Sequence, residues 1–226
     1  MFPLTELLKQ NPVFSCMDAA TRERLANCAI RREFNKGGTI TFRGDVWPNL
    51  FIISKGIVNA LKESSEGRSL VVASFVTGDL FWGLAFFHEE MSMPVTLVAQ
   101  TPASIFLWPR ENILSLLVQN GQSFWELCRL MISRMQYASE MLEEMAFQPL
   151  TGRVARLLLE QFPTDQQSAA RHLTLDEMAA RVGTTREMVC RILYRFAEEG
   201  AIQINRTEFI FKDRKLLEER IQGVVK

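Results

Sequence analysis

The sequence has few of the features that mark secreted, metal-binding or membrane proteins. Its four cysteines form no CxxC pair and no spacing typical of a zinc site: Cys16, Cys28, Cys128 and Cys190. Scattered cysteines of this kind indicate a reducing compartment rather than a disulfide framework. No run of about 18 apolar residues is present, so no membrane span is expected. The opening stretch MFPLTELLKQNP is too short and polar for a signal peptide, and we therefore expect a cytoplasmic protein without a membrane partner.

An excess of positive charge is also missing, because 26 Lys and Arg are balanced by 26 Asp and Glu. Any case for nucleic-acid binding must therefore rest on local pattern. The signatures of an enzyme are absent too, since the sequence shows no nucleophile–base pair, no metal-ligand cluster and no GxxxxGK phosphate loop. His172, one of two histidines, is predicted to be a loop residue. We expect a globular protein that is not an enzyme.

Residues 34–108 have the pattern of an all-β region. Short runs rich in β-branched and aromatic residues alternate with glycines, which is typical of a small β roll or barrel. The predicted strands cover residues 39–42, 50–54, 57–61, 69–75, 95–100 and 104–108. Short helices are predicted before this region, in TELLKQ and in MDAATRERLANCAI, where Asp18 is the expected N-cap.

A helical pattern then runs from Glu111 to about Phe147. It contains a seam of apolar and small residues at alternating steps of four and three, as in a heptad repeat: Phe124, Cys128, Met131, Met135, Ala138, Leu142 and Met145. Two alternatives are open for the partner of this seam, either the β roll or the same helix of a second copy in a parallel homodimer. The dimer is the favoured interpretation.

The last part of the chain begins after the Gln148-Pro149 pair, where proline restricts the preceding residue and ends the long helix. Its predicted elements are an amphipathic helix at 150–161, a loop at 163–171, a hairpin or "wing" at 201–213 and a closing helix at 215–222.

Within this part, residues 173–200 predict a helix-turn-helix, with two short helices joined near Gly183. The second helix is predicted to begin at a capping box formed by Thr184 and Glu187. At about 100° per residue, one of its faces is apolar and suited to packing: Val189, Ile192, Leu193 and Phe196. The opposite face carries mostly polar side chains near the helix N-terminus, where a recognition helix meets base edges: Arg186, Glu187, Cys190, Arg191 and Tyr194.

In this order of parts the sequence resembles the CRP/FNR superfamily of bacterial transcription regulators. The resemblance covers nearly the whole chain and is most specific in GDLF at 78–81, TGRVA at 151–155 and TREMVCR at 185–191. It implies an α+β fold with an N-terminal double-stranded β roll, a long dimerisation helix and a C-terminal winged helix-turn-helix. The implied domains are a β-roll sensor at 1–121, the dimerisation helix at 122–148 and the DNA-binding domain at 149–226.

The resemblance also implies a homodimer that binds double-stranded DNA at a palindromic operator, with RNA polymerase as a further partner. Arg186 and Arg191 match the family's guanine-reading arginines, and Glu187 matches its acid, which can accept from cytosine N4. This set is similar to the branch that reads TGTGA-like half-sites. Phosphate contacts are expected from Thr174, Thr185 and Arg195. The alternatives are that Glu187 only completes the capping box and that the arginines lie on a solvated face.

The sequence departs from the family where its cyclic AMP site lies. The family uses a Gly-Glu pair and an Arg-Ser pair that clamps the cyclic phosphate. Here the first pair is similar, Gly78-Asp79, but the second reads Met93-Pro94, and neither side chain can pair with a phosphate charge. In the long helix the family's Thr-Ser reads Ala138-Ser139. The resemblance therefore implies an effector other than cyclic AMP.

Other cofactors are weighed on the same basis. An iron–sulfur cluster is not expected, because Cys16 and Cys28 are too few and too far apart. Residues 81–93 are rich in aromatics and methionine, and they suggest either an apolar pocket, with haem bound through His88 as in gas-sensing relatives, or plain core packing with His88 at the surface. The candidate effector pocket comprises Gly78, Asp79, Phe81, Trp82, His88 and Met93. A redox role for Cys128 or Cys190 and a ligand-binding signalling module without DNA binding are the remaining alternatives.

Overall fold

The structure is a computed structural model that describes residues 4–161, 168–170 and 172–221. It separates into two compact units. The roll unit comprises Met1–Lys62 and Val72–Tyr137, and the C-terminal unit comprises Glu63–Val71 and Ala138–Lys226. In the described part of the chain, no helix has both the length and the apolar character needed to cross a membrane.

The roll unit begins with three short helices, α1 (Leu4–Gln10), α2 (Pro12–Ser15) and α3 (Ala19–Cys28). The prediction that Asp18 caps α3 is confirmed, since the backbone N–H of Thr21 donates to Asp18 Oδ1 at 2.6 Å. This hydrogen bond lowers the pKa of the Asp18 carboxyl, because it favours the charged form.

Eight strands of the described chain form two four-stranded antiparallel sheets, with the orders β1-β8-β3-β6 and β2-β7-β4-β5. Their bounds are β1 Ile30–Phe34, β2 Thr39–Thr41, β3 Asn49–Lys55, β4 Val58–Glu63, β5 Ser69–Phe75, β6 Leu80–Trp82, β7 Thr96–Ala99 and β8 Ala103–Pro109. All six predicted strands are present, and the expected α+β fold with a β roll is confirmed. The sequence pattern missed β1, whose charged segment is mostly exposed, and the three-residue β6.

Both faces of the central strand β3 are buried, because successive side chains point to opposite sides of a sheet. Phe51 and Ile53 point into the roll, where an inner core also contains Met93. Leu50 and Ile52 point outward into a second core beneath the helices. The sheet that contains β3 therefore packs on the interior of the roll with one face and on a layer of helices with the other.

The helical pattern after the roll is broken once. Helix α4 spans Arg110–Gln119 and α5 spans Gly121–Phe147, a helix of 27 residues. The prediction of one continuous helix from Glu111 is wrong at Asn120, whose φ of −100° and ψ of 95° are extended. Its side chain accepts a hydrogen bond from the Ser123 backbone N–H at 2.9 Å, which offers the backbone an alternative to a continuous helix.

The C-terminal unit contains α6 Leu150–Gln161, β9 Ser168–Ala170, α7 Leu175–Val182, α8 Arg186–Glu198, β10 Ile202–Ile204, β11 Glu208–Phe211 and α9 Arg214–Ile221. The predicted wing is confirmed as the β10–β11 hairpin. The predicted loop at 163–171 is wrong at 168–170, which pairs with β11. The remainder of that loop, residues 163–167 and 171, lies outside the described residues. The SAA segment carries no apolar alternation, so only the neighbouring strand specifies it.

The glycine of the TGRVA motif lies where two helices of this unit meet. A Cβ on Gly152 in α6 would lie 2.9 Å from the carbonyl oxygen of Arg220 in α9. That distance is shorter than ordinary contact and involves backbone, so the helices approach this closely only because residue 152 has no side chain. Beneath them, a core of buried residues from α6 to α9 includes Val154, Phe196 and Leu217.

Candidate nucleic-acid interface

The first helix of the helix-turn-helix is capped by its own side chains. Thr174 is the N-cap of α7, and the N–H of Glu177 donates to Thr174 Oγ1 at 3.1 Å. In return the N–H of Thr174 donates to Glu177 Oε2 at 2.7 Å. This is a complete capping box, which the sequence analysis did not single out. Thr174 is exposed at the helix N-terminus, where backbone N–H groups favour an anion.

The turn between the helices depends on Gly183. Its φ of 70° places it in the left-handed region, where glycine meets no Cβ penalty. The N–H of Thr184 donates to the carbonyl of Ala179 at 3.0 Å. This bond, from the second residue past the helix end, closes the C-terminus of α7 in the manner of a Schellman motif.

Helix α8 therefore begins one residue later than predicted. Thr185 is its N-cap and accepts from the Met188 N–H at 3.4 Å. The predicted capping box of Thr184 and Glu187 is wrong, because Thr184 belongs to the end of α7. Glu187 is fully exposed, and hydrogen bonds from its own N–H and from Thr185 lower the pKa of its carboxyl. The carboxylate is consequently charged at neutral pH and available as an acceptor.

The two faces of α8 are arranged as the periodicity predicts. The four residues of the predicted apolar face are buried in the domain core: Val189, Ile192, Leu193 and Phe196. Arg186, Glu187 and Arg191 are exposed on the opposite side, together with Tyr194, while Cys190 is half-buried. Arg195 is also exposed. The three residues predicted to read bases thus share one solvent-facing surface of a firmly packed helix.

An ion pair that sequence reasoning missed lies at the start of this surface. Arg186 Nη1 is 3.3 Å from Asp176 Oδ2 on α7. The side chains are 61% and 68% exposed. Their separation of ten positions crosses the turn, so no helical periodicity could have indicated the contact.

The predicted seam of α5 contains both exposed and half-buried residues. Met135 and Leu142 are 73% and 70% exposed. Phe124 and Ala138 are also exposed, whereas Cys128, Met131 and Met145 are half-buried. Trp125 and Ile132, which lie beside the seam, are exposed as well. The helix consequently presents a long apolar stripe.

The six candidate effector residues do not converge on one cavity. Gly78, with a φ of 93°, and Asp79 form the turn before β6, where Asp79 Oδ2 accepts from the Val76 N–H at 2.8 Å. Phe81 and Trp82 alternate along β6, so the first packs on the inner core and the second on the outer core. The side chain of His88 is exposed.

The interior of the roll is closely packed around Met93. This side chain is buried, and its sulfur lies 3.4 Å from the position that a Cβ on Gly83 would take. The rings of Phe51 and Phe75 lie 5.4 and 4.5 Å from that of Phe81. No Lys or Arg is among the buried residues of the described chain. This interior offers apolar surface rather than charge.

A separate cavity of about 340 Å³ lies outside the roll, beside the Gly78-Asp79 turn. Its polar groups are already partnered within the unit. Asn11 Nδ2 donates to the Gly78 carbonyl at 3.1 Å, and Arg134 lies 3.8 Å from Asp79. Within the described ranges, no group of three or more His, Cys, Asp or Glu side chains is placed to hold a metal ion.

Comparison with known proteins agrees with this architecture. Residues 31–120 match the cyclic nucleotide-binding domain family, and residues 152–220 match the Crp-like helix-turn-helix domain family. The chain is 30% identical to the cAMP-activated global transcriptional regulator Vfr of Pseudomonas aeruginosa, over 84% of this chain and 92% of that protein. It is 26% identical to the cyclic AMP receptor protein of Thermus thermophilus, over 96% of this chain and all of that protein.

Solved structures show the same fold. A crp/fnr-family transcriptional regulator from Eubacterium rectale superposes with a TM-score of 0.77 at 22% identity, covering 93% of this chain and 98% of that one. The c-di-GMP responsive regulator CLP of Xanthomonas campestris superposes with a TM-score of 0.74 at 23% identity, covering 86% and 99%. With its nucleotide-binding-type roll and its helix-turn-helix, the chain belongs to the CRP/FNR family of transcription regulators, which are DNA-binding proteins and not enzymes.

Proposed function

We propose that this regulator acts as a homodimer that reads a TGTGA-like inverted repeat under the control of an effector other than cyclic AMP. The observation that carries the proposal is the exposed group Arg186, Glu187 and Arg191 on α8, opposite a face that is buried throughout. The buried face fixes the helix on its domain, so the three polar side chains point away from the protein together. The expected cytoplasmic location and contact with RNA polymerase belong to the same proposal.

The spacing along α8 suits neighbouring base pairs. Arg186 and Arg191 are five residues apart, which is about 7.5 Å along a helix at 1.5 Å per residue. Base pairs rise by about 3.4 Å, so the two arginines can reach guanines roughly two steps apart. Glu187 lies beside Arg186 and accepts from cytosine N4 in this arrangement. We infer phosphate contacts from three further residues, which are Thr174 and Thr185 at the N-termini of α7 and α8, and Arg195.

The apolar stripe on α5 supports the dimer. Cys128, Met135 and Leu142 recur every seven residues, so they stay on one side of a supercoiled helix. Side chains as exposed as Met135 and Leu142 gain burial when a second α5 packs alongside in parallel. Such a pair presents two α8 helices, which a palindromic operator requires.

The packing of the roll supports an effector other than cyclic AMP. A phosphate taken into this interior needs a charge-assisted partner, yet the position of the family's arginine is occupied by the buried Met93. The haem alternative is less favoured, because His88 is exposed and Glu89 beside it is paired with Arg110. The signalling-module alternative does not describe this chain, which contains a helix-turn-helix domain.

Fluorescence anisotropy with the full-length protein tests the proposal. The probe is a labelled duplex in which TGTGA-like half-sites are centred one helical turn apart. We expect Arg186→Ala and Arg191→Ala each to weaken binding by about fivefold to 150-fold, since a bidentate arginine–guanine contact contributes about 1–3 kcal/mol of discrimination. Lys215→Ala, which removes an exposed charge on α9, is the control. Unchanged binding by both arginine variants would contradict the proposed contacts.

The effector is tested in the same assay. Cyclic AMP is expected to leave the affinity of wild-type protein for the duplex unchanged. A cyclic AMP-dependent gain in affinity of tenfold or more would show that Met93 and Pro94, in place of the family's Arg-Ser pair, do not exclude cyclic AMP.

A further inference from the structure

The ion pair between Asp176 and Arg186 lies where base recognition is proposed to begin. Asp176 is the second residue of α7 and Arg186 is the first of α8. Their side-chain atoms are 3.3 Å apart across the turn. Because both side chains are mostly exposed, a pair of this kind adds little to folding stability. Asp176 is not needed for the capping box either, since Glu177 fills that role.

The geometry of the contact leaves the recognition edge of the arginine available. Asp176 engages Nη1 of Arg186. A guanidinium presents five N–H donors in a planar fork. With Nη1 held by the carboxylate, the Nε and Nη2 donors still form a side edge that can bind guanine O6 and N7 together.

We propose that Asp176 is a positioning residue for specificity, which holds the Arg186 guanidinium in the orientation that reads guanine. This inference rests on the proposed base contact of Arg186. Holding a long side chain before binding reduces the rotamer entropy lost on the operator. The same carboxylate places a negative charge near the phosphates, which weakens sequence-independent binding. Both effects widen the difference between operator and random DNA.

The test measures that difference directly. Wild-type full-length protein first selects its preferred sites from a library of randomised duplexes, so the probe does not depend on the TGTGA assignment. Affinities are then measured for the selected site, for every single-base variant of one half-site, and for a random duplex. The proteins compared are wild type, Asp176→Asn, Asp176→Glu, Arg186→Ala and Glu219→Gln. The last removes one exposed negative charge from α9.

Asp176→Asn is expected to bind the selected site about threefold more weakly and the random duplex equally or more tightly, a loss of specificity of up to about tenfold. The loss of specificity should be greatest at one guanine, the one whose replacement no longer changes the affinity of the Arg186→Ala protein. Asp176→Glu should recover part of the discrimination, and Glu219→Gln should preserve it. Thermal melting of each variant monitors the fold.

Two results overturn the inference in distinguishable ways. Asp176→Asn could instead increase the affinity for the selected and the random duplex by the same factor, as a change of charge alone does. In that case Asp176 does not position Arg186, and the proposed base contacts still hold. If Arg186→Ala binds the selected site as wild type does, the base contact itself is absent, and the proposed function fails together with the inference.

Discussion

The close approach of α6 and α9 at Gly152 gives a prediction whose magnitude follows from the structure. In Gly152→Ala the new Cβ lies 2.9 Å from the Arg220 carbonyl oxygen and 3.6 Å from the Ile221 Cα. Both neighbours are backbone, so relief requires a movement of α9. Overpacking of this kind costs about 1–3 kcal/mol, and the better helix propensity of alanine offsets about 0.5–1 kcal/mol of that. We expect a net destabilisation of about 1 kcal/mol.

Thermal unfolding of the full-length protein, followed by circular dichroism, measures the effect. For a unit of this size, 1 kcal/mol corresponds to a Tm lower by about 4–8 °C. Gly121→Ala is the matched control, because a Cβ on Gly121 at the start of α5 meets nothing within 4 Å. Its Tm should be unchanged or slightly higher. A Gly152→Ala protein with a Tm equal to or above that of wild type would refute the packing argument.

Further predictions concern the dimer, the recognition helix and one carboxyl group on α6. Met135→Glu places a charge in the proposed α5 contact and should give monomers in sedimentation velocity. The neighbouring Gln136→Glu protein should remain dimeric. A dimeric Met135→Glu protein would contradict a dimer contact through the α5 stripe. Thr185→Ala removes the N-cap of α8 and should lower the free energy of unfolding by about 1 kcal/mol in denaturant titrations, while Thr184→Ala should change it by less than about 0.5 kcal/mol. A larger destabilisation by Thr184→Ala than by Thr185→Ala would show instead that Thr184 caps α8. Loss of hydration raises the pKa of the Glu160 carboxyl above its ordinary 4.5. Its favourable contribution to the free energy of unfolding is therefore present below the ordinary pKa and is lost as the pH rises through the raised pKa. Glu160→Gln should therefore raise Tm at pH 7 and not at pH 4, and an equal shift at both would exclude a titration effect.

The helix-turn-helix shows how far local pattern reaches. The buried face of α8 follows from apolar residues at steps of three and four, which share one side of any helix. The start of that helix could not be placed in the same way, since Thr184 and Thr185 both satisfy the N-cap preference. The choice depended on the hydrogen bond from Thr184 to Ala179, which closes the preceding helix.

The candidate effector residues show what local pattern does not determine. Phe81 and Trp82 are adjacent and aromatic, so as a sequence they suggest one pocket. In a strand whose two faces are both buried, neighbours enter different cores, and these two do so. The sequence pattern missed the strands β1, β6 and β9 for a related reason, because their pairing partners define them rather than their own composition.

The sequence by itself determined the order of the parts, the helices with strong periodicity and the three polar residues on the outer face of α8, because these depend on spacings of a few residues. The tertiary structure decided which threonine caps α8, how the aromatic residues divide between the two cores, and that Asp176 meets Arg186 across the turn. Those outcomes depend on contacts between segments that the chain brings together only when it folds, and no local period encodes them.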